Sequence, residues 1–352
     1  MKCAVVILNW NGEQTLRQFL PSVIEHTNLP DVEIVVADNG STDASIDYLQ
    51  TQPVRIIRLD HNYGFAEGYN RAIKQIEAEY VVLLNSDVEV TPHWLDSMLT
   101  YMDQHPHVLA AQPKVLSWHS KQRFDKGETS TILFEHAGAA GGLIDILGYP
   151  FCRGRFMAYV EEDRGQYDTI APIFWATGAC MLIRTRVYKE LGGLDGNFFA
   201  HQEEIDLCWR IHQTPPTLPA GGELSPLEGG LEKICCLPQA TVYHVGGGTL
   251  GYESPRKTFL NFRNNLLMLR KNLPVSKRWW IMLIRFFMDY VAALQMLVTG
   301  QWENTKAVFQ ARSAYHKLKK QYPTCNCQSH SNSQLIAKRS IVWDYYIRKK
   351  KK

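Results

Sequence analysis

Three polar clusters in the first quarter of the chain each follow a short apolar run. Asn9-Trp10-Asn11-Gly12 follows Ala4 to Leu8, Asp38-Asn39-Gly40-Ser41-Thr42-Asp43 follows Val32 to Ala37, and Asn85-Ser86-Asp87 follows Tyr80 to Leu84. A carboxylate that closes an apolar strand needs a partner, because burying a bare charge is costly. Asp38 suits the N–H donors of a nucleotide base. Asp87 suits a divalent cation whose other ligands are phosphate oxygens. Asn85 stands two residues earlier, on the same side of an extended chain, and suits a metal-bound water or a ribose. Asp43 and Ser41 read equally well as a helix N-cap and turn chemistry.

A second group lies far downstream. His201-Gln202-Glu203-Glu204-Ile205-Asp206-Leu207-Cys208-Trp209-Arg210 reads as the start of an amphipathic helix. Acids in a first helical turn are common for dipole reasons alone. His244 precedes Gly246-Gly247-Gly248, where bare backbone can approach a phosphate. Arg263, in Phe262-Arg263-Asn264-Asn265, is a candidate phosphate or acceptor contact.

The elements that must hold these groups alternate. Strands are predicted at Ala4 to Leu8, Val32 to Ala37, Val54 to Leu59 and Tyr80 to Leu84. Helices are predicted at Glu13 to Glu25, Asp43 to Gln50, Ala66 to Ile76 and Pro92 to Gln104. Continuous apolar strands alternating with helices indicate a parallel sheet covered on both faces. Ligands of such sheets bind beyond the carboxyl ends of the strands, where all three clusters fall. Residues 113 to 183 are less regular and are expected to form the acceptor side of the cleft. The breakers between Pro215 and Gly230 mark a surface loop. From Arg256 the chain reads as helical. Trp279 to Thr299 is long and apolar, but Arg285 and Asp289 lie four residues apart on one face. Such a stripe suits an interfacial helix, or one packed on the body of the protein, and contact with a membrane without crossing it is expected.

The 352 residues carry a formal charge of +3, too small an excess to point to nucleic acid. The basic end, Arg348 to Lys352, suits an anionic membrane surface. None of the eight cysteines forms a CxxC pair. Cys325, Cys327 and His330 lack a fourth ligand and the usual zinc spacing. A reducing cytoplasm is expected, with no signal layout at Met1 to Val6.

Taken together, Val5 to Gly12, Ala37 to Asp43, Asn62-Tyr63-Gly64-Phe65-Ala66-Glu67-Gly68-Tyr69-Asn70 and Leu84 to Asp87 resemble the family 2 glycosyltransferases, in particular bacterial rhamnosyltransferase-like members. The resemblance implies a GT-A fold: a Rossmann-like, mostly parallel α/β sheet with helices on both faces, plus C-terminal amphipathic helices. It implies a nucleotide-sugar-binding half (1–112), an acceptor-binding and catalytic half (113–255) and a membrane-associating helical region (256–352). It makes Asp38 the base-binding acid, with Asn9, Asn11, Gly64, Asn70, Asn85 and Arg263 also on the nucleotide sugar. Asp87 matches the last acid of a DxD-type motif and, with His244, would hold Mg²⁺ or Mn²⁺. Asn85 stands at that motif's first position, which leaves one fewer carboxylate for the metal. Glu204 occupies the position of the catalytic base, where aspartate is usual, with Glu203 as the alternative. The implied reaction is inverting transfer from dTDP-rhamnose or a UDP-sugar to a glycan or polyprenyl-linked glycan. Its place would be the inner face of the cell membrane. A sugar-1-phosphate nucleotidyltransferase and a non-catalytic carbohydrate- or membrane-binding protein are the rival readings.

Overall fold

A computed structural model describes residues 1–214, 233–246, 254–322 and 335–349. The Pro215–Gly230 stretch, Gly247 to Thr249, the Cys325, Cys327 and His330 group and Lys350 to Lys352 lie outside the described residues.

The first half runs β1 (Cys3–Asn9), α1 (Glu13–His26), β2 (Val32–Asn39), α2 (Ser45–Leu49), β3 (Arg55–Leu59), α3 (Gly64–Ile73), β4 (Tyr80–Asn85), β5 (Val88–Val90) and α4 (Trp94–Gln104). The middle runs β6 (Ala110–Ser117), α5 (Trp118–Asp125), β7 (Gly142–Asp145), β8 (Pro150–Cys152), β9 (Arg155–Phe156), β10 (Tyr159–Val160), β11 (Ala171–Pro172), β12 (Cys180–Arg184), α6 (Thr185–Glu190), α7 (Glu203–Gln213) and β13 (Ile234–His244). The C-terminal part holds α8 (Pro255–Asn272), α9 (Val275–Val298), α10 (Trp302–Leu318), β14 (Ile336–Ala337) and α11 (Ile341–Tyr346).

The main sheet has the order β11-β13-β6-β12-β4-β1-β2-β3, with β5 paired to β13. β1, β2, β3 and β4 are parallel, in keeping with the largely apolar runs of β1, β2 and β4. β12 is antiparallel to β4, with Cys180 opposite Leu84. The loop that enters β12 therefore meets the carboxyl ends of β4 and β1. This is the edge where the polar clusters emerge. The two faces of the sheet carry two apolar clusters, one built around Val6, Leu83 and Met181 and the other around Val5, Val82 and Leu182. Strand alternation divides neighbouring residues between them.

The irregular middle folds into a second, five-stranded sheet, β10-β9-β8-β7-β14. Its strands are short and lack strong alternation, so the sequence pattern did not announce it. α9 is amphipathic in the inverse sense. Arg285 and Asp289 are 3% and 1% exposed and face the body of the protein. Arg285 lies over the Tyr149 ring and donates to the Leu147 carbonyl, and Asp289 pairs with Arg312 of α10. The opposite face shows Trp279, Leu283, Phe287, Val291 and Leu294 to solvent. The charged stripe is packed on the body, and the apolar face is the one left exposed.

Candidate active site

The loops after β1 and β2 are stitched together by short polar side chains. Asn9 donates to Asp38 Oδ1 at 3.0 Å and to Ser41 Oγ at 3.2 Å. The Ser41 amide donates to Asp38 Oδ2 at 3.0 Å. Asn11 accepts from the Thr42 amide at 2.7 Å, and its own amide donates to Ser41 Oγ. Asp43 serves the starts of two helices: its carboxylate accepts from the Glu13 amide of α1 at 3.0 Å and from the Ser45 amide of α2 at 3.1 Å. Asp38 is thus buried with both oxygens engaged inside the protein. It braces the loop that carries Asn11, Gly40 and Ser41.

Asn39, which the motif reading passed over, ties this loop to the next. Its amide donates to Asn62 Oδ1 and to the Gly64 carbonyl, and its oxygen accepts from the Tyr63 amide. Gly64 has φ of +80°, and a Cβ there would sit 2.5 Å from the Phe199 ring. The Phe65 amide donates to the Phe199 carbonyl at 2.7 Å, so the turn before α7 closes the N-terminus of α3. Asn70 does not face a ligand with its amide. Its side chain bonds both backbone groups of Leu194 and accepts from the Tyr188 hydroxyl.

Asp87 and His244 are 157 positions apart in the chain and 3.1 Å apart in space, Oδ1 to Nε2. The pairing of β5 with β13 brings them together, with Val88 opposite His244. Asn85 Nδ2 lies 3.3 Å from the same imidazole nitrogen. Burial would raise the Asp87 pKa, but the adjacent His244 outweighs it and holds the carboxyl below its usual range. Burial would lower the His244 pKa, and Asp87 and Glu135 more than offset that. Glu135 Oε1 stands 3.9 Å from His244 Nδ1, and both atoms are buried without a hydrogen-bond partner. Glu135 lies in the irregular middle, where no spacing or periodicity singled it out.

The turn before α7 is strained. Phe199 has φ of +64° and ψ of −58°, and the Ala200 amide donates to the Phe198 carbonyl at 2.8 Å. That is the rarer, strained form of γ-turn. His201 and Gln202 follow with φ of +71° and +74°. Each such residue costs on the order of 1–3 kcal/mol and persists only where its surroundings fix it. Asn264 of α8 does the fixing. It is fully buried, and its Nδ2 lies within 2.8 to 2.9 Å of the carbonyls of Phe198, Ala200 and His201. Arg263 donates to the carbonyls of Asn197 and Phe198 and to Asn264. The guanidinium read as a phosphate contact therefore braces this turn instead.

The three acids of the first turn of α7 then part company. Asp206 is buried and fully paired, with Arg210 Nε and Lys271 Nζ each at 2.9 Å and Asn272 Nδ2 at 2.7 Å. Burial acts against its charge, but Arg210 and Lys271 win, and its pKa is lowered. Glu203 and Glu204 have no such partners, and Oε2 of each is buried and unbonded. Burial lifts the Glu203 pKa well above the usual range, reinforced by the charge of Glu204. Burial likewise pushes Glu204 up to about 7. Glu203 is buried outright, whereas Glu204 keeps partial exposure.

Gly178 links the two halves. The Asn85 amide donates to the neighbouring Ala179 carbonyl at 2.9 Å. A Cβ on Gly178 would sit 3.8 Å from Glu204 Cβ and 3.2 Å from the Phe65 ring. Asp87 and Glu204 thus flank one short segment at the carboxyl edge of the sheet.

A parallel sheet with a stitched two-loop crevice, and separate acids reaching its carboxyl edge from β4 and α7, defines a GT-A glycosyltransferase fold. The chain belongs to glycosyl transferase family 2, whose sequence pattern matches residues 4–192. It is 28% identical over 216 residues to the O-antigen biosynthesis protein RfbC of Myxococcus xanthus, covering 60% of this chain and 16% of that protein. It is 26% identical over 220 residues to an N-acetylglucosaminyl-diphospho-decaprenol L-rhamnosyltransferase of Mycobacterium tuberculosis, covering 59% of this chain and 69% of the relative. Among solved structures it resembles GalNAc-T7 with UDP, GalNAc and Mn²⁺, with a TM-score of 0.53 at 16% identity over 77% of this chain and 48% of that one. It also resembles residues 1–349 of S. aureus TarS with UDP-GlcNAc, with a TM-score of 0.52 at 18% identity over 91% and 85%.

Proposed function

We propose that this protein transfers a sugar from a nucleoside-diphosphate sugar to a hydroxyl of a glycan or lipid-linked glycan, with inversion, in cell-surface polysaccharide synthesis. The observation that carries this reading is the Glu204 carboxyl, whose Oε2 is buried without a partner, set beside Gly178 and close to the β4 end that bears Asp87. Glu204 takes the proton of the acceptor hydroxyl while that oxygen bonds to the anomeric carbon. The bond from that carbon to the diphosphate breaks, and the nucleoside diphosphate leaves with the electron pair. One displacement inverts the centre. A base held near neutral pH suits this work, and help of this kind typically gives about 10²–10⁴-fold.

The β1 and β2 loops, braced by Asn9 and Asp38 and continued by Asn39 to Gly64, form the nucleotide side. Asp87 and His244 fit a divalent ion such as Mg²⁺ or Mn²⁺. A carboxylate oxygen and an imidazole nitrogen converge there, with the Asn85 amide alongside. When bound, the ion would offset negative charge on the leaving diphosphate. Among the described residues no three His, Cys, Asp or Glu side chains gather in ligand geometry, so diphosphate oxygens and water would complete the shell. The names of the rhamnosyltransferase and TarS relatives support dTDP-rhamnose or a UDP-sugar as donor. The first of these names also supports a polyprenyl-linked acceptor. The exposed apolar face of α9 supports seating on the cytoplasmic membrane surface, where such an acceptor would be held.

A nucleotidyltransferase would need a free arginine near the first loop. Arg17 is instead paired with Glu13 at 2.8 Å and stacked on Tyr48. The test is incubation with dTDP-rhamnose and with UDP-GlcNAc, in Mn²⁺ or EDTA, following thermal stability and nucleoside diphosphate release. At a hundredfold excess over Kd a ligand of the native state adds about 2.7 kcal/mol. One donor is expected to stabilise the protein and be consumed in Mn²⁺ but not in EDTA. Unchanged melting with every nucleoside diphosphate and its sugar would end the proposal.

A further inference from the structure

Asn264 does not hold the last residue of the strained turn. Its three bonds stop at the His201 carbonyl. Gln202 follows, with φ of +74°, and directly precedes Glu203 and Glu204. It opens α7, and its carbonyl accepts from the Asp206 amide at 2.9 Å. A glutamine keeps such a backbone only where its surroundings impose it. Its side chain is held from α8, where Asn265 Nδ2 donates to Gln202 Oε1 at 3.2 Å. The same Nδ2 donates to the Gly148 carbonyl at 2.9 Å.

Arg285 of α9 holds the other end of the Asn265 amide. Its Nη1 donates to Asn265 Oδ1 and to the Leu147 carbonyl. A guanidinium only donates, so it takes the amide oxygen and leaves the nitrogen to Gln202 and Gly148. Asn265 and Arg285 are both buried. Removing the arginine would leave a buried amide oxygen unsatisfied, which favours displacement of the side chain. Arg285 is fixed in turn by the Tyr149 ring, whose centroid lies 3.9 Å away, and by Asp289 Oδ1, 3.6 Å from Nη2. Asp289 also pairs with Arg312 of α10. A buried ion pair is weak grounds for stability, since apolar side chains of similar volume often serve as well. Its best-attested use is to specify position.

We propose that Arg285 is a positioning residue for the transfer step: through Asn265 and Gln202 it sets the start of α7, and with it Glu204. This rests on the transferase reading and deepens it. The links run from α9 to α8 to the turn, so each joins a different pair of elements. A helix whose outer face is apolar and exposed thus carries, on its inner face, the group that anchors the backbone before the base. Among the described residues, none of these three side chains bonds to the β1 or β2 loop. Donor binding is therefore expected to stand apart from this link.

The first arm measures transfer kinetics on the full-length protein with the donor it consumes. Arg285→Met keeps much of the volume and removes the donor to Asn265. It is expected to lower kcat about tenfold while the donor KM stays within about twofold, since small misplacements of a reacting group are costly. Gln202→Met, which leaves the buried arginine intact, should act the same way. The double variant should lose no more than the worse single one, because the two changes cut one path. Arg285→Lys still carries a donor and should recover about threefold over Arg285→Met. An unchanged kcat in Gln202→Met, losses that multiply in the double variant, or a donor KM that rises as far as kcat falls would each overturn the proposal. Gln202→Met decides alone if Arg285→Met does not fold. The second arm, amide hydrogen exchange, needs no activity. The Asp206 amide should exchange about threefold faster or more in Arg285→Met and in Gln202→Met, with the β1 amides unchanged. Exchange equal to the parent in both variants would overturn the link. If the parent protein consumes no donor at all, the transferase reading fails, while the exchange measurement still decides whether Arg285 holds the start of α7.

Discussion

The groups around Asp38 and those around Glu204 reach the same edge of one sheet, yet the fold treats them in opposite ways. On the nucleotide side, Asp38 is consumed by Asn9 and by the Ser41 amide, and Asn39 by three further loop bonds. On the other side, the chain is held in a strained turn and two carboxyls each keep one oxygen without a partner. Asp206 sharpens the contrast, because it shares the first turn of α7 with Glu203 and Glu204 and has three nitrogen partners. A helix dipole acts on all three acids alike. Their different pairing is what separates a structural acid from one poised to take a proton.

The largest effect is expected at Glu204. Glu204→Gln should lower transfer by about 10²–10⁴-fold, measured with the donor that the parent protein consumes. The same variant should be more stable than the parent at pH 8. A carboxyl whose folded pKa is raised to about 7 contributes stability below its unfolded value that is lost as pH climbs through 7. The stability gap should therefore close towards pH 4.5. An acid of the same turn that behaves oppositely is the control. Asp206→Ala leaves Arg210 and Lys271 without their shared carboxylate and should cost about 3–5 kcal/mol in denaturant unfolding.

Asn264→Ala should cost less, about 1–3 kcal/mol, since it removes the donor from three buried carbonyls of the turn. It should also lower kcat more than it changes the donor KM, because the turn sets Glu204 and not the nucleotide loops. Equal loss in both constants would mean that the two regions are not separable. The smallest stability effect belongs to the outer face of α9. Phe287→Gln with Val291→Gln should shift stability by less than about 0.5 kcal/mol per site. Sedimentation with anionic vesicles should nevertheless fall several-fold.

The sequence made the first half of the fold plain. β1, β2 and β4 are largely apolar runs, and each ends in a polar cluster whose edge of the sheet follows from the parallel topology. The proximity of Asp87 and His244 was also within reach, through family motifs rather than spacing. Other features depended on tertiary structure. Glu135 sits in a stretch without periodicity, and the second sheet is made of strands two to four residues long. Arg263 looked like a ligand contact because nothing local revealed that backbone carbonyls of a strained turn would occupy it. The charge pair on α9 fixed which residues share a face. Only packing against Tyr149, Leu147 and Arg312 decided that this face points inward.

The most direct test of the account is the pH dependence of kcat/KM for sugar transfer between pH 5 and 9. If the unpaired Glu204 carboxyl is the base, the rate should fall on the acid side with an apparent pKa near 7 and drop about tenfold per unit below it. A rate that stays level down to pH 5 would mean that an ordinary, solvated carboxylate or no carboxylate does the work, and would contradict the assignment.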